Sequence, residues 1–116
     1  MAQPRAPRRG EIWMVDLDPT RGHEQAGRRP ALVLSATMFN QGPAGLVVVL
    51  PITSKDKRIP LHVRVTPPEG GLQSASFIKC EDIRSVAAER LTRRWGEVSA
   101  ETLREVEDRL RILLEL

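Results

Sequence analysis

The chain predicts a mainly β fold, a small barrel-like sheet closed by one C-terminal helix, and three observations carry that prediction. Short apolar runs recur from residue 10 to residue 86, each bounded by Gly, Pro or Asp turn signals. One run, Leu46–Leu50 (LVVVL), is apolar at every position, the pattern of a strand buried on both faces. Only after residue 98 does the apolar spacing change to that of a helix. Several short strands in about 90 residues, followed by a helix, fit a small barrel.

Taken in order, residues 1–8 (MAQPRAPR) read as a flexible basic N-terminal tail, and residues 9–116 as one domain. Glu11–Leu17 (EIWMVDL) is a strand ended by Asp18-Pro19, a turn initiator. Ala31–Ser35 (ALVLS) follows Pro30, and Leu46–Ile52 (LVVVLPI) follows the turn Gly42-Pro43-Ala44-Gly45. Leu61–Thr66 (LHVRVT) alternates, with Leu61, Val63 and Val65 on one face and His62 and Arg64 on the other. Pro67, Pro68, Gly70 and Gly71 force the next turn. Ala75–Cys80 and Glu81–Val86 are two strands or one bent strand. Leu103, Val106, Leu110 and Leu113 then recur at helical spacing behind Ser99, an N-cap residue. The expectation is five or six strands and one helix, with Trp13, Phe77 and Cys80 in the core.

A chain of 116 residues makes one domain with a real core. Apolar content of 41% with 28% charged residues describes a globular protein rather than a disordered one. No apolar run approaches the ~20 residues of a spanning helix. The basic N-terminus lacks the apolar stretch of a signal peptide, so a cytoplasmic location is expected. A lone cysteine excludes an internal disulfide, and His23 and His62 lie far apart in no ligand spacing. Metal-free chemistry is therefore expected. Lys and Arg number 18 against 15 Asp and Glu, a net +3 that only nudges toward a polyanionic partner. The distribution says more: the basic residues are mostly arginine and cluster at 5–9, 28–29, 55–58 and 90–94, and arginine suits bidentate phosphate contact.

The segment from Asp18 to Pro30 contains GHEQAGRRP and lacks apolar periodicity over a length at which loops in small domains are often functional. On composition alone the surface hairpin is the favoured reading. Arg29 is the residue that speaks for a site. Pro30 biases it toward an extended backbone at the mouth of an apolar strand, where its guanidinium offers a fork of donors to a phosphate. A guanidinium keeps its proton in water, which makes charge stabilisation its natural role. Thr53 ends the most apolar strand and opens Thr53-Ser54-Lys55-Asp56-Lys57-Arg58. Its hydroxyl can donate to a developing oxyanion or cap its own turn. His62 and Arg64 read as a solvent-facing pair. The absence of Tyr and the 3% aromatic content argue against an RNA-stacking sheet of the RRM kind.

The residues Arg9-Gly10-Glu11-Ile12-Trp13, Val15 to Thr20, and Gly22 to Ser35 closely resemble the start of the MazF/PemK family. The likeness continues through Pro51-Ile52-Thr53-Ser54, Pro60-Leu61-His62-Val63, Gly71-Leu72 and Asp82-Ile83-Arg84-Ser85, covering about residues 9 to 115. The resemblance implies an SH3-like barrel of the CcdB/MazF type. It implies a homodimer and a groove for single-stranded RNA. The activity it implies is that of a sequence-specific, ribosome-independent mRNA interferase that needs no cofactor or metal, neutralised by a MazE-like antitoxin. In that family the RNA 2′-hydroxyl attacks, leaving a 2′,3′-cyclic phosphate and a 5′-hydroxyl. Arg29 and Thr53 match the catalytic arginine and threonine, and Glu24 is the nearest carboxylate, able to orient Arg29 or act as base. His23, Gln25, Arg28, Ser54, Lys57 and His62 are the expected substrate contacts. His23 stands where the family often has a small hydroxyl residue, and can act as acid, base or RNA contact, or be a neutral substitution. Glu81-Asp82 stands where Asp-Gln is more usual. The alternative is a CcdB-like toxin of the same fold that binds DNA gyrase and cleaves nothing; the Arg29 and Thr53 matches favour the nuclease.

Overall fold

Every strand is antiparallel to its neighbours. The computed structural model of the chain describes residues 6–17 and 27–116. Seven strands, β1 (Glu11–Asp16), β2 (Arg28–Val33), β3 (Leu46–Thr53), β4 (His62–Val65), β5 (Ser76–Lys79), β6 (Arg84–Ala87) and β7 (Leu91–Glu97), pair in the order β4-β5-β3-β2-β1-β7, with β6 also on β3. A four-residue helix α1 (Thr37–Asn40) and the C-terminal α2 (Ala100–Leu114) complete the fold. The end strands β4 and β7 do not pair with each other, so the expected barrel is a strongly bent sheet that stays open between them.

The bend is made by β3. Leu46–Val49 pairs with β6, whereas Ile52 and Thr53 pair with β5 in a second sheet. Leu50 and Pro51 pair with neither on that edge, and Pro51, which has no N–H to give, falls in this gap. The apolar run is fully buried on the face of Val47 and Val49 only; on the other face Leu46 is exposed and Val48 half-buried, and burial there begins at Leu50. Val47 and Val49 enter one cluster with Val15, Leu17, Ala31, Val33, Val86 and Leu91. Leu50 and Ile52 enter the other with Ile12, Leu32, Val63, Ile78, Cys80, Val106 and Leu110. The period of two along β1, β2 and β3 thus feeds two cores, and α2 covers the second with the face carrying Val106 and Leu110. Ser99 caps α2 as expected, its Oγ accepting the Thr102 N–H at 3.1 Å.

Several expectations are corrected. Strand β7 (LTRRWGE) escaped notice because three charged residues and a glycine hide any alternation. Strand β2 begins at Arg28, so the last residues of the supposed loop are extended sheet. Ala75–Val86 is not one bent strand: a 3₁₀ turn at Cys80–Asp82 separates β5 from β6. The end of the expected tail is also tied down. Pro7 is buried, its carbonyl accepts from Asn40 Nδ2 at 2.9 Å, and the Arg8 N–H donates to Glu11 Oε1 at 2.7 Å. Trp13 and Phe77 are partly buried rather than central, while Cys80 is fully enclosed. Burial and the neighbouring Glu81 carboxylate push its thiol up from 9.0 to about 12, only partly offset by Arg109, so it is an inert core residue at neutral pH. Among the described residues no helix is long and apolar enough to cross a membrane.

Candidate active site

Arg29 and Thr53 come together because β2 and β3 part company. Their ladder runs from Val33↔Val49 through Leu32↔Leu50 to Ala31↔Pro51 and stops. Continuing that register by two residues sets Arg29 opposite Thr53. The ladder ends there for a reason written in the sequence: Pro30 has no N–H to donate, and β3 turns with β5 into the second sheet. The wedge between the strands is a cavity of about 200 Å³ lined by Arg29 and Pro30 of β2, Ile52 and Thr53 of β3, Ser54 just after it, Leu72–Ser74, Ser76 and Trp95. Such a volume admits a phosphate with part of its nucleotide and falls below the ~300–1,000 Å³ of pockets that bury a whole drug-sized ligand.

Within this cavity Thr53 is buried, with a relative exposure of 7%, and its Oγ1 accepts the Lys55 N–H at 3.2 Å. The hydroxyl therefore caps its own turn. That bond uses a lone pair and leaves the O–H proton to be donated to a group in the cavity, so the two roles considered for Thr53 are compatible. Arg29 is exposed and sits on a strand rather than a loop, paired in register with Val15, which fixes its backbone at the cavity rim.

The other expected site residues divide. Ser54 lines the cavity. Arg28 is exposed at the start of β2, opposite Asp16 in register, and Lys57 is exposed on the segment after β3; neither lines the cavity. His62 is not solvent-facing. It is buried on β4 beside Lys79 of β5, its Nε2 2.8 Å from Glu81 Oε2, because the 3₁₀ turn after β5 folds the Glu81 carboxylate over it. Lys79 and Arg84 both reach Asp82, at 3.5 and 2.8 Å, so this corner is a charge network separate from the cavity. His23, Glu24 and Gln25 lie outside the described residues. Sequence reasoning missed Gln73, Ser76 and Trp95. The available signal was Arg93-Arg94-Trp95, an aromatic beside the basic cluster at 90–94.

The wall carrying Trp95 is built on glycines. Gly71 has φ +73°, and a Cβ there would fall 2.2 Å from the Trp95 carbonyl oxygen. Gly96 presses as closely on the Gly70-Gly71 backbone, 2.7 Å from Gly70 C for a Cβ at that position. Two backbones thus meet with no side chain between them, which holds the turn before Leu72–Ser74 against β7.

This fold and cavity define a toxin of the type II toxin–antitoxin class: residues 8–114 match the model of the PemK-like, MazF-like toxins of those systems, and the chain belongs to that family. Among its relatives is the endoribonuclease MazF9 of Mycobacterium tuberculosis, 41% identical over 114 residues, covering 94% of this chain and 97% of the relative. The endoribonuclease EndoA of Bacillus subtilis is 31% identical over 110 residues, with 94% and 95% covered. In structure the chain is similar to MazF of Deinococcus radiodurans, at a TM-score of 0.86 and 33% identity over 96% of this chain and 98% of that one. It is also similar to a chain of the MazE–MazF complex from the same organism, at a TM-score of 0.79 and 34% identity over 96% and 97%.

Proposed function

We propose that the protein is an endoribonuclease toxin that cuts single-stranded RNA at selected sequences without a metal ion, and that a MazE-like antitoxin neutralises it. The observation that carries this reading is the convergence of Arg29 and Thr53 on one cavity at the mouth of β2 and β3. A ribose 2′-oxygen attacks the adjacent phosphorus while a base takes its proton. The bond from phosphorus to the 5′-oxygen breaks, that oxygen gains a proton, and the products are a 2′,3′-cyclic phosphate and a 5′-hydroxyl. Negative charge grows on the non-bridging oxygens during the attack. A guanidinium fork and a hydroxyl aimed at those oxygens lower the barrier, each such donor being worth roughly 10²–10³ in rate. Glu24 orients Arg29 or serves as the base, and His23 and Gln25 extend the substrate contacts. Two chains form the working unit, with RNA in the groove they share, and an acidic antitoxin tail competes for the same basic groove.

Relatives named as endoribonucleases weigh against the gyrase-binding alternative, which has no use for Arg29 or Thr53. The test is purified protein with synthetic single-stranded RNAs in EDTA. Cleavage that persists with chelator, leaves a cyclic phosphate and disappears in Arg29→Ala is expected. A wild-type protein that cuts none of a varied set of RNAs, yet inhibits gyrase, overturns the reading.

A further inference from the structure

A second cavity, of about 190 Å³, adjoins the first and is used by nothing described so far. Its lining is Gly71, Gln73, Arg93, Arg94 and Trp95, and Gln73 and Trp95 line both cavities. Three features make it a built site. Trp95 is the extra residue of a bulge, because β1 and β7 pair Ile12 with Gly96 and then Trp13 with Arg94. A bulge re-aims the side chain it carries, and the close Gly71 contact holds the Trp95 backbone in place. Arg94 is held by Glu11, a carboxylate 3% exposed, whose Oε2 accepts from Arg94 Nε at 2.6 Å while Oε1 accepts from the Arg8 N–H and from Trp13 Nε1. That leaves the outer guanidinium nitrogens of Arg94, a side chain 39% exposed, available to a ligand. Arg93 is exposed and makes no ion pair among the described residues, so it adds uncompensated positive charge at the rim.

We propose that this second cavity takes the nucleotide next to the scissile phosphate, with its base against the Trp95 indole, its edge read by the Gln73 amide, and its outer phosphate met by Arg93. The inference rests on the RNA-cleaving reading above and extends it to substrate selection. The combination is specific to a nucleotide: an aromatic face for a base, an amide offering both donor and acceptor, and arginines for the backbone. A phosphate alone has no use for the indole, and an aromatic face beside an amide and two arginines matches a base on its phosphate backbone. The shared wall puts the subsite within one nucleotide of the Arg29–Thr53 cavity. Arg94, fixed and largely neutralised by Glu11, is a positioning residue; Arg93 supplies the charge.

The experiment uses a cleavable oligoribonucleotide and a series shortened one nucleotide at a time from each end. For the wild type, KM should step up by roughly 10-fold or more, the weight of one stacked base, on removal of the nucleotide that fills the cavity. In Arg93→Ala and Gln73→Ala, both at exposed positions, that step should shrink or vanish. In Trp13→Phe, Trp95 is the only tryptophan, and its fluorescence should be quenched on titration with an RNA carrying 2′-deoxyribose at the cleaved position. Cleavage by the wild type with an unchanged step in both variants and no response from Trp95 overturns the subsite and leaves the nuclease reading standing. Loss of neutralisation by an antitoxin peptide in Arg93→Ala, with RNA kinetics untouched, also overturns it, in favour of a protein contact. A wild type that cuts no RNA defeats the nuclease reading, and quenching of Trp95 by the uncleavable RNA then decides the subsite separately.

Discussion

Arg29 and Thr53 line the same cavity, each two residues past Ala31↔Pro51, the last paired position of the β2–β3 ladder, where a gap opens between the strands. Pro30 is the cause of the gap, since it denies the ladder a donor at the step where β3 turns away. Removing the guanidinium should then cost activity without costing the fold. Arg29→Ala is expected to lower kcat by roughly 10²–10³ with unfolding unchanged within about 0.5 kcal/mol, because the side chain is exposed. Single-turnover RNA cleavage and urea unfolding check the two halves of that statement. Thr53→Val, which keeps the shape and removes the hydroxyl, should also slow cleavage, by roughly 10²-fold.

Gly71 ought to be intolerant of any side chain. An added Cβ meets the Trp95 carbonyl oxygen at 2.2 Å, and the backbone already sits at φ +73°. Gly71→Ala should destabilise by about 2 kcal/mol or more, the strain and the clash adding. It should also raise KM for RNA by displacing Trp95, which denaturant titration and cleavage assays measure together.

Ile78 is the centre of the second sheet, paired with Ile52 of β3 and with Val63 of β4, and fully buried. Ile78→Ala is expected to cost about 2–5 kcal/mol. Ser99→Ala, which removes the α2 cap, should cost about 1 kcal/mol, leaving the Thr102 N–H without its acceptor. Urea unfolding midpoints should separate the two by that margin.

Cys80 gives a prediction in pH. Its thiol is pushed up to about 12 by burial, so between 9.0 and about 12 the unfolded chain releases a proton that the folded chain keeps. Stability from this group is therefore full below pH 9 and falls as pH rises through that window. The same burial should protect the thiol: alkylation at pH 8 is expected to be negligible in native protein and rapid in denaturant. Cys80→Ala should flatten the alkaline loss of stability.

Local patterning decided much of this molecule. The LVVVL run dictated a strand, though its Leu46 end is exposed, the alternation in LHVRVT a second strand, and Ser99 with its spaced leucines a capped amphipathic helix. Arg29 before Pro30 already specified an extended guanidinium at a strand mouth, and Thr53 a hydroxyl at a strand end. These are short-range consequences of backbone sterics and apolar period, legible in one chain. What only the tertiary structure decided is who meets whom. His62 looks outward in its strand pattern but is buried, because Glu81, nineteen residues on, folds over it with a hydrogen bond of 2.8 Å. Trp95 sits in a segment with no strand pattern, yet it lines both cavities because a bulge re-aims it and two glycine backbones touch. The sequence alone thus determined most of the strands, the helix α2 and two residues that line the cavity, but not β7 or α1. The second wall came from long-range register and close backbone approach, which no local period encodes.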